Sequence, residues 1–388
     1  MTTSVEDAKL VRSKSIRFDR NEWGGAFGDI GTDFPLLVGM ILAARLDAAS
    51  VLVAFGAMQI LTGVVYKLPM PVQPLKAVAV IVITQKLGGE ILFGGGLAIG
   101  LMMLLLTLTG ALEFLATRIP KAVVRGLQLG LGVQLGMLAL KDYVPTNGIE
   151  GYALAAVAFV IILFLIGKQT YPAAAMVIAG GVILTLVSSP EPINLIFSVS
   201  FPKLHAPTPE SVWNGLILLA LPQISLSLGN SILATKHIAN DLFPERNLTA
   251  SGIGITYSLM NLISPFVSGA PVCHGAGGMA GHAAFGARTG GSVILYGAFY
   301  LLLGIFFAQS FESVVKFFPL PILGVILFFE AVSLIKLTRD AAESTINFTT
   351  AIFVALLAMS LPYGFLVGLV VGTAAYELMK RGMTKLDS

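Results

Sequence analysis

Apolar stretches of about 17 to 25 residues recur along almost the whole chain, and each is long enough as a helix to cross the hydrocarbon core of a bilayer. Charges are scarce: 12% of the 388 residues are Asp, Glu, Lys or Arg, about half the share in soluble domains, while 56% are apolar. Inside a bilayer no water satisfies backbone N–H and C=O groups, so only helices or a closed barrel can span it. The stretches are long and lack period-two alternation, so they read as helices. The expected fold class is an all-α polytopic membrane protein.

Fourteen segments are delimited, near 24–43, 49–66, 74–86, 91–116, 121–140, 151–167, 171–188, 212–235, 248–267, 274–287, 290–310, 319–336, 344–361 and 363–380. The third and tenth are too short to span alone. Connections are brief except for 189–211, where Pro190, Pro192, Pro202, Pro207 and Pro209 mark a linker. Residues 1–20 are polar, carry Lys9, Arg12, Lys14, Arg17 and Arg20, and lack a secretory signal pattern. Cys273 is the single cysteine, so no internal disulfide can form.

Positive charge sets an orientation. With fourteen spans and the N-terminus inside, only Arg45, Lys86, Lys141, Lys203 and Lys316 of the 24 Lys and Arg fall outside, while Lys76 and Arg125 lie within spans. That bias is the one expected of cytoplasmic loops. Residues 1–20 and 381–388 are therefore expected to be cytoplasmic, on a multi-pass protein of the plasma membrane.

The halves 21–188 and 212–380 resemble each other. Pro71-Val72-Gln73-Pro74 lies 200 positions before Pro271-Val272-Cys273-His274, Ile119-Pro120 lies 199 before Phe318-Pro319, and Gly28-Asp29 lies 201 before Gly229-Asn230. Near-equal offsets point to an internal repeat. Seven spans per half is an odd number, so the second copy is expected to be inverted in the membrane.

Segments three and ten occupy equivalent places in the two halves. Leu68-Pro69-Met70-Pro71-Val72-Gln73 and Ser268-Gly269-Ala270-Pro271-Val272-Cys273 precede them. Proline removes donors and clashes with the preceding turn, so these runs are expected to be extended, with a half-helix starting near the midplane. Two half-helix N-termini, each with roughly half a positive charge and free N–H groups, would then converge on an anion. Lys76 adds a full charge and brings the total to about +2, which suits a dianion. The plainer reading is that Lys76 snorkels or pairs with a carboxylate such as Asp29. The small residues of Cys273-His274-Gly275-Ala276-Gly277-Gly278 allow close backbone approach to a ligand or to another helix. His274, at the helix start, is a candidate donor to an oxyanion. A metal site built from Cys273, His274 and His282 is disfavoured, because a closed zinc site takes four ligands.

Other spans add polar groups. Asp29 and Asp33 are four apart on one helix face, and carboxylates at this depth are candidate proton carriers. Their plainer role is to pair with Lys76 or to cap broken backbone. Gln223, Ser227 and Asn230 form a stripe on segment eight that could line the cavity or bond between helices. Glu113, Glu330 and Glu377 are expected at cytoplasmic ends, and Arg125 is expected to snorkel.

Phe27-Gly28-Asp29-Ile30-Gly31-Thr32, Pro69-Met70-Pro71-Val72-Gln73-Pro74-Leu75-Lys76-Ala77 and Cys273-His274-Gly275-Ala276-Gly277-Gly278, extended by Phe285-Gly286-Ala287-Arg288-Thr289-Gly290-Gly291, resemble signature segments of molybdate transporters related to the sulfate permease superfamily. The resemblance runs in order over the whole chain. It implies a seven-plus-seven inverted repeat with a core (spans 1–4 and 8–11) and a gate (spans 5–7 and 12–14). It implies a tetrahedral oxyanion held near Gln73, Lys76, Cys273, His274 and Gly275, with Asp29 alongside. Asp33 stands where an uncharged residue is expected, and His282 where glutamine is. Only a short tail follows the last span, so the regulatory STAS domain of sulfate permeases is expected to be lacking.

The function so indicated is secondary active import of molybdate by an elevator-like movement, with Asp29 and Asp33 carrying a coupled proton. Sulfate and other anions are alternative substrates, by transport or through a channel. A nucleobase–proton symporter of the same fold would want a carboxylate on segment eight, and an intramembrane aspartyl protease would want its carboxylates on facing helices. No catalytic residues, cofactor, metal or nucleic-acid partner is expected. The expected partners are the oxyanion and the lipid bilayer, with a co-transported proton and a second copy of the chain in a homodimer as further candidates.

Overall fold

The computed structural model describes residues 15–165, 173–188, 196–316 and 318–384. Lys9, Arg12, Lys14, Pro190, Pro192 and the end of the tail lie outside them. The principal helices are α1 (Ile30–Ala44), α2 (Ala48–Tyr66), α3 (Lys76–Gln85), α4 (Gly89–Leu108), α5 (Lys121–Leu138), α6 (Gly148–Leu165), α7 (Ala173–Ser188), α8 (Pro209–Leu242), α9 (Ala250–Ile263), α10 (Ala276–Ala284), α11 (Gly291–Phe306), α12 (Leu320–Lys336), α13 (Thr345–Ser360) and α14 (Gly364–Thr384). Shorter helices cover Arg20–Gly25, Ala111–Arg118 and Phe311–Lys316. Among the described residues, Ala48–Tyr66, Gly89–Leu108, Lys121–Leu165 and Leu320–Glu343 are helical stretches long and apolar enough to cross a membrane.

The fold is mostly helical, but the all-α expectation needs one correction. The extended runs before α3 and α10 form two strands, β1 (Val72–Pro74) and β2 (Val272–His274), paired antiparallel with Gln73 opposite Cys273. Prolines bar these runs from helix, and buried backbone groups must find partners. Two extended runs side by side satisfy part of that need in each other. The outer backbone groups are met by side chains. Gln59 on α2 donates to Val72 O (2.7 Å) and accepts from Val72 N (2.9 Å). Asn261 on α9 donates to Val272 O (2.6 Å) and accepts from Val272 N (2.9 Å).

Local signals explain several helix ends. Asp47 caps α2 through Ser50 N at 2.9 Å, and Thr249 caps α9 through Gly252 N at 3.1 Å. The helices before the strands end in left-handed residues, Lys67 (φ 53°) and Ser268 (φ 54°). Lys86 (φ 52°) ends α3, and Gly286 (φ 105°) follows α10. Gly110 (φ 72°) separates α4 from Ala111–Arg118, so the expected segment 91–116 is two helices rather than one. The expected segment 24–43 is also broken: Arg20–Gly25 ends in a turn, and α1 starts after Asp29, its N-cap residue. Asp29 and Asp33 still stand one turn apart at the start of α1, where Asp33 N donates to Asp29 O at 3.2 Å. α8 is a bent pair rather than one straight helix: Pro209–Ile224 and Ser227–Leu242 meet at 52°, with π-helical stretches at Leu216–Ala220 and Ser227–Ala234.

The helices pack in two groups. α2 lies along α11 and α4 lies along α9 and the start of α8, while α5, α12 and α13 lie together with α6 and α14 against them. At the α2–α11 crossing, a Cβ on Gly56 would sit 2.6 Å from Gly297 O, and one on Gly297 would sit 2.6 Å from Gly56 O. Only glycine on both helices permits that approach, and small residues are what draw helices together where lipid is the solvent. α1 and α3 face α12 and α5 across the seam between the groups.

Candidate functional site

A cavity of about 600 Å³ opens where the starts of α3 and α10 meet α8 and α12. Its walls include Asp29, Gln73, Lys76, Asn230, Cys273, His274 and Gly275 from the set singled out in the sequence, together with Gln223, Arg125 and Glu330. Ser227 and Asp33 do not reach the wall. Ser227 is fully buried behind Gln223, with Oγ 2.7 Å from the Tyr257 hydroxyl. Asp33 is fully buried one turn beyond Asp29, and its carboxylate oxygens have no hydrogen-bond partner among the described residues.

The strand pair sets the floor. Gln73 Nε2 donates to both oxygens of Asp29, each at 2.7 Å. Gly275 and Gly278 make room for this pair: a Cβ at Gly275 would overlap the Gln73 side chain, and one at Gly278 would overlap the Asp29 carboxylate. Gly277, by contrast, has nothing within 4 Å of a would-be Cβ and looks into the cavity.

The two half-helix starts differ. At α3, Gln223 Oε1 accepts from Ala77 N (3.1 Å) and Val78 N (3.4 Å), so a side chain of α8 already caps these donors. At α10 the N-cap position is Gly275, which has no side chain to cap with, and Ala276 and Gly277 lie on the cavity wall. The first-turn N–H groups of α10 are thus the open electropositive end of the pair. Gln223, read from sequence only as part of a polar stripe, is the residue that makes the difference.

Lys76 does not pair with Asp29. Its ammonium is ion-paired with Glu330 on α12, whose other carboxylate oxygen accepts from Thr32 Oγ1 at 3.4 Å. This corrects the placement of Glu330 at a cytoplasmic end. Glu330 is ten residues into a helix that starts at Leu320, a rise of about 15 Å, or half the core thickness. That depth was the available signal. Arg125 has partners of its own: its guanidinium bonds Asp340 at 2.6 and 2.9 Å and Gln128 at 2.9 Å. Gln128 in turn donates to Asn230 Oδ1 at 2.6 Å. The cavity's two cationic and two anionic side chains balance, and the α10 terminus adds a partial positive charge.

The histidines turn elsewhere. His274 Nε2 lies 2.7 Å from Thr256 Oγ1, with the ring edge-on to Tyr66, and His282 Nδ1 lies 3.2 Å from Ser292 Oγ. Among the described residues, no group of three or more His, Cys, Asp or Glu could hold a metal ion.

Comparison with known proteins agrees with this architecture. Residues 21–135 and 215–334 match the family described as "Molybdate transporter of MFS superfamily". Molybdate transporter 2 of Arabidopsis thaliana is 32% identical over an alignment covering 93% of this chain and 87% of the relative, and Molybdate transporter 1 of the same plant is 30% identical over 96% and 90%. The fold is that of solved anion transporters. The transmembrane domain of the cyanobacterial bicarbonate transporter BicA superposes with a TM-score of 0.65 at 17% identity, covering 93% of this chain and 98% of that one. Murine Slc26a9 in the inward-facing state gives 0.71 at 13% identity, covering 97% and 70%. The chain belongs to the molybdate transporter family, and it is a multi-pass membrane transporter rather than an enzyme.

Proposed function

We propose that this protein is a secondary active importer of molybdate that moves its substrate by an elevator-like step. The observation that carries this reading is the convergence of Lys76 and the uncapped start of α10 on one cavity. A tetrahedral dianion seated there would meet an ammonium group and a fan of backbone N–H donors. Asp29 sits at the edge of that field. A proton on its carboxyl would remove a charge that repels the anion, which couples proton and oxyanion movement. Asp33, buried behind it, is the second candidate carrier.

The proposed architecture is two inverted halves of seven segments, 21–188 and 212–380, in the plasma membrane with both ends cytoplasmic. It is supported by matched geometry about 200 positions apart: Lys67 with Ser268, Lys86 with Gly286, and Gln59 with Asn261. The helix pairs α2–α11 and α9–α4 exchange under the same offset. α1–α4 and α8–α11 would form the moving core, and α5–α7 and α12–α14 the gate. Sulfate and tungstate share the shape and charge of molybdate and are alternative substrates.

The test is uptake of labelled molybdate into proteoliposomes with and without a pH gradient, in competition with sulfate and tungstate. Uphill accumulation that responds to the proton gradient is the expected result. Absence of accumulation under every gradient, or ionic current without accumulation, would overturn the proposal.

A further inference from the structure

The Lys76–Glu330 ion pair joins the two packing groups of the molecule. Lys76 stands in the first turn of α3, which packs against α1, whereas Glu330 belongs to α12, which packs against α5 and α6. Both side chains border the cavity and are about equally shielded, 20% and 19% exposed. A pair that served only to fasten helices would be expected away from the substrate chamber. This one uses the single ammonium group at the half-helix starts.

We infer that Glu330 is a tethered counter-anion, which holds the place of the substrate's charge on Lys76 whenever the carrier is empty. The inference rests on the transporter reading above and names a residue that sets its affinity. A bound dianion and the Glu330 carboxylate, both in contact with one ammonium in a low-dielectric site, would repel each other strongly, so they compete for Lys76. In the empty state the pair neutralises Lys76. An unpaired ammonium at this depth is costly, and the pair spares the empty site that cost. When the anion takes Lys76, the link between α3 and α12 is released. Thr32, at the start of α1, holds the second carboxylate oxygen and fixes Glu330 toward Lys76.

The consequence is read in affinity. Glu330→Gln removes the competitor, so molybdate should bind the purified protein about tenfold more tightly than wild type at one fixed pH. Damage to the fold alone would weaken binding and could not tighten it. Glu330→Asp keeps the charge but withdraws it by one methylene, and should give an affinity between the other two proteins. Unchanged or weaker binding in Glu330→Gln, beside normal wild-type binding, overturns the inference and leaves the transporter reading intact. Should Glu330→Gln fail to fold, Glu330→Asp carries the test, and affinity no better than wild type overturns the inference. If wild type itself neither binds nor accumulates molybdate, the transporter reading is what fails.

Discussion

Gln59 on α2 and Asn261 on α9 make the same two hydrogen bonds. Each amide donates to the carbonyl and accepts from the N–H of one strand residue, Val72 for Gln59 and Val272 for Asn261. All four residues are buried. The strand pair that positions both half-helices is therefore clamped on its two outer edges.

Replacing either clamp by leucine strands a buried N–H and a buried C=O. Each unpaired group costs about 1–3 kcal/mol. Gln59→Leu and Asn261→Leu should each lower thermal stability in detergent, by similar amounts, with a parallel fall in molybdate binding. A melting temperature indistinguishable from wild type would show that the clamp is dispensable.

The glycines at the start of α10 separate by position. Gly275→Ala forces Gln73 away from Asp29, and the loss of a hydrogen bond to a charged group costs about 1.5–3 kcal/mol, or tenfold or more in molybdate affinity. Gly277→Ala meets no protein atom and should leave stability unchanged. Equilibrium binding together with melting curves on the two variants makes the comparison. Equal behaviour of the pair would contradict the contact between Gly275 and Gln73.

Lys76→Gln should abolish measurable oxyanion binding, since truncating one member of a desolvated charge contact costs about 2–5 kcal/mol. Monodisperse elution and retained helical signal would show that the protein still folds. Preserved affinity would remove Lys76 from the site.

Asp29→Asn tests coupling. In wild type, uptake should follow the protonation of Asp29, and in the variant that dependence should vanish while molybdate still binds. Coincident profiles of uptake against pH for the two proteins would dismiss Asp29 as the proton carrier.

Outside the membrane, Asp47 ties the linker to the top of α2. It pairs with Lys203 at 2.6 Å and caps Ser50 N at 2.9 Å. Burial raises its carboxyl pKa, but the hydrogen bonds from Lys203 and Ser50 outweigh this and hold it below the ordinary 3.8. A depressed carboxyl lends stability that is complete above 3.8 and is lost as pH falls through the lower folded value. Hydrogen exchange over residues 196–208 should therefore quicken below about pH 4 in wild type. Asp47→Asn should show the faster exchange already at neutral pH, with no further acid step.

Much of the site could be read from residue order. Prolines at 69, 71, 74 and 271, closely spaced or next to glycine and alanine, each remove an N–H donor and crowd the preceding turn, so the extended runs and the half-helix starts at their ends are local consequences of composition. Gln73, Lys76, Cys273 and Gly275 sit at those starts and line the cavity for the same reason. The pairing of the runs into a sheet was not legible, because it depends on two segments 200 positions apart arriving at one depth.

Hydropathy and the spacing of prolines determined that the chain would be helical in a membrane, interrupted twice, with a lysine beside the first interruption. Those properties act within a few residues along the chain. Only the tertiary structure decided that Gln223 caps α3 and leaves α10 open, that Glu330 rather than Asp29 takes Lys76, and that Ser227, Asp33 and the ring of His274 face away from the cavity. Depth in the bilayer is written in sequence as distance from a helix end. The rotation of a helix about its axis and the identity of its neighbour are fixed by packing, and they choose which buried polar groups meet.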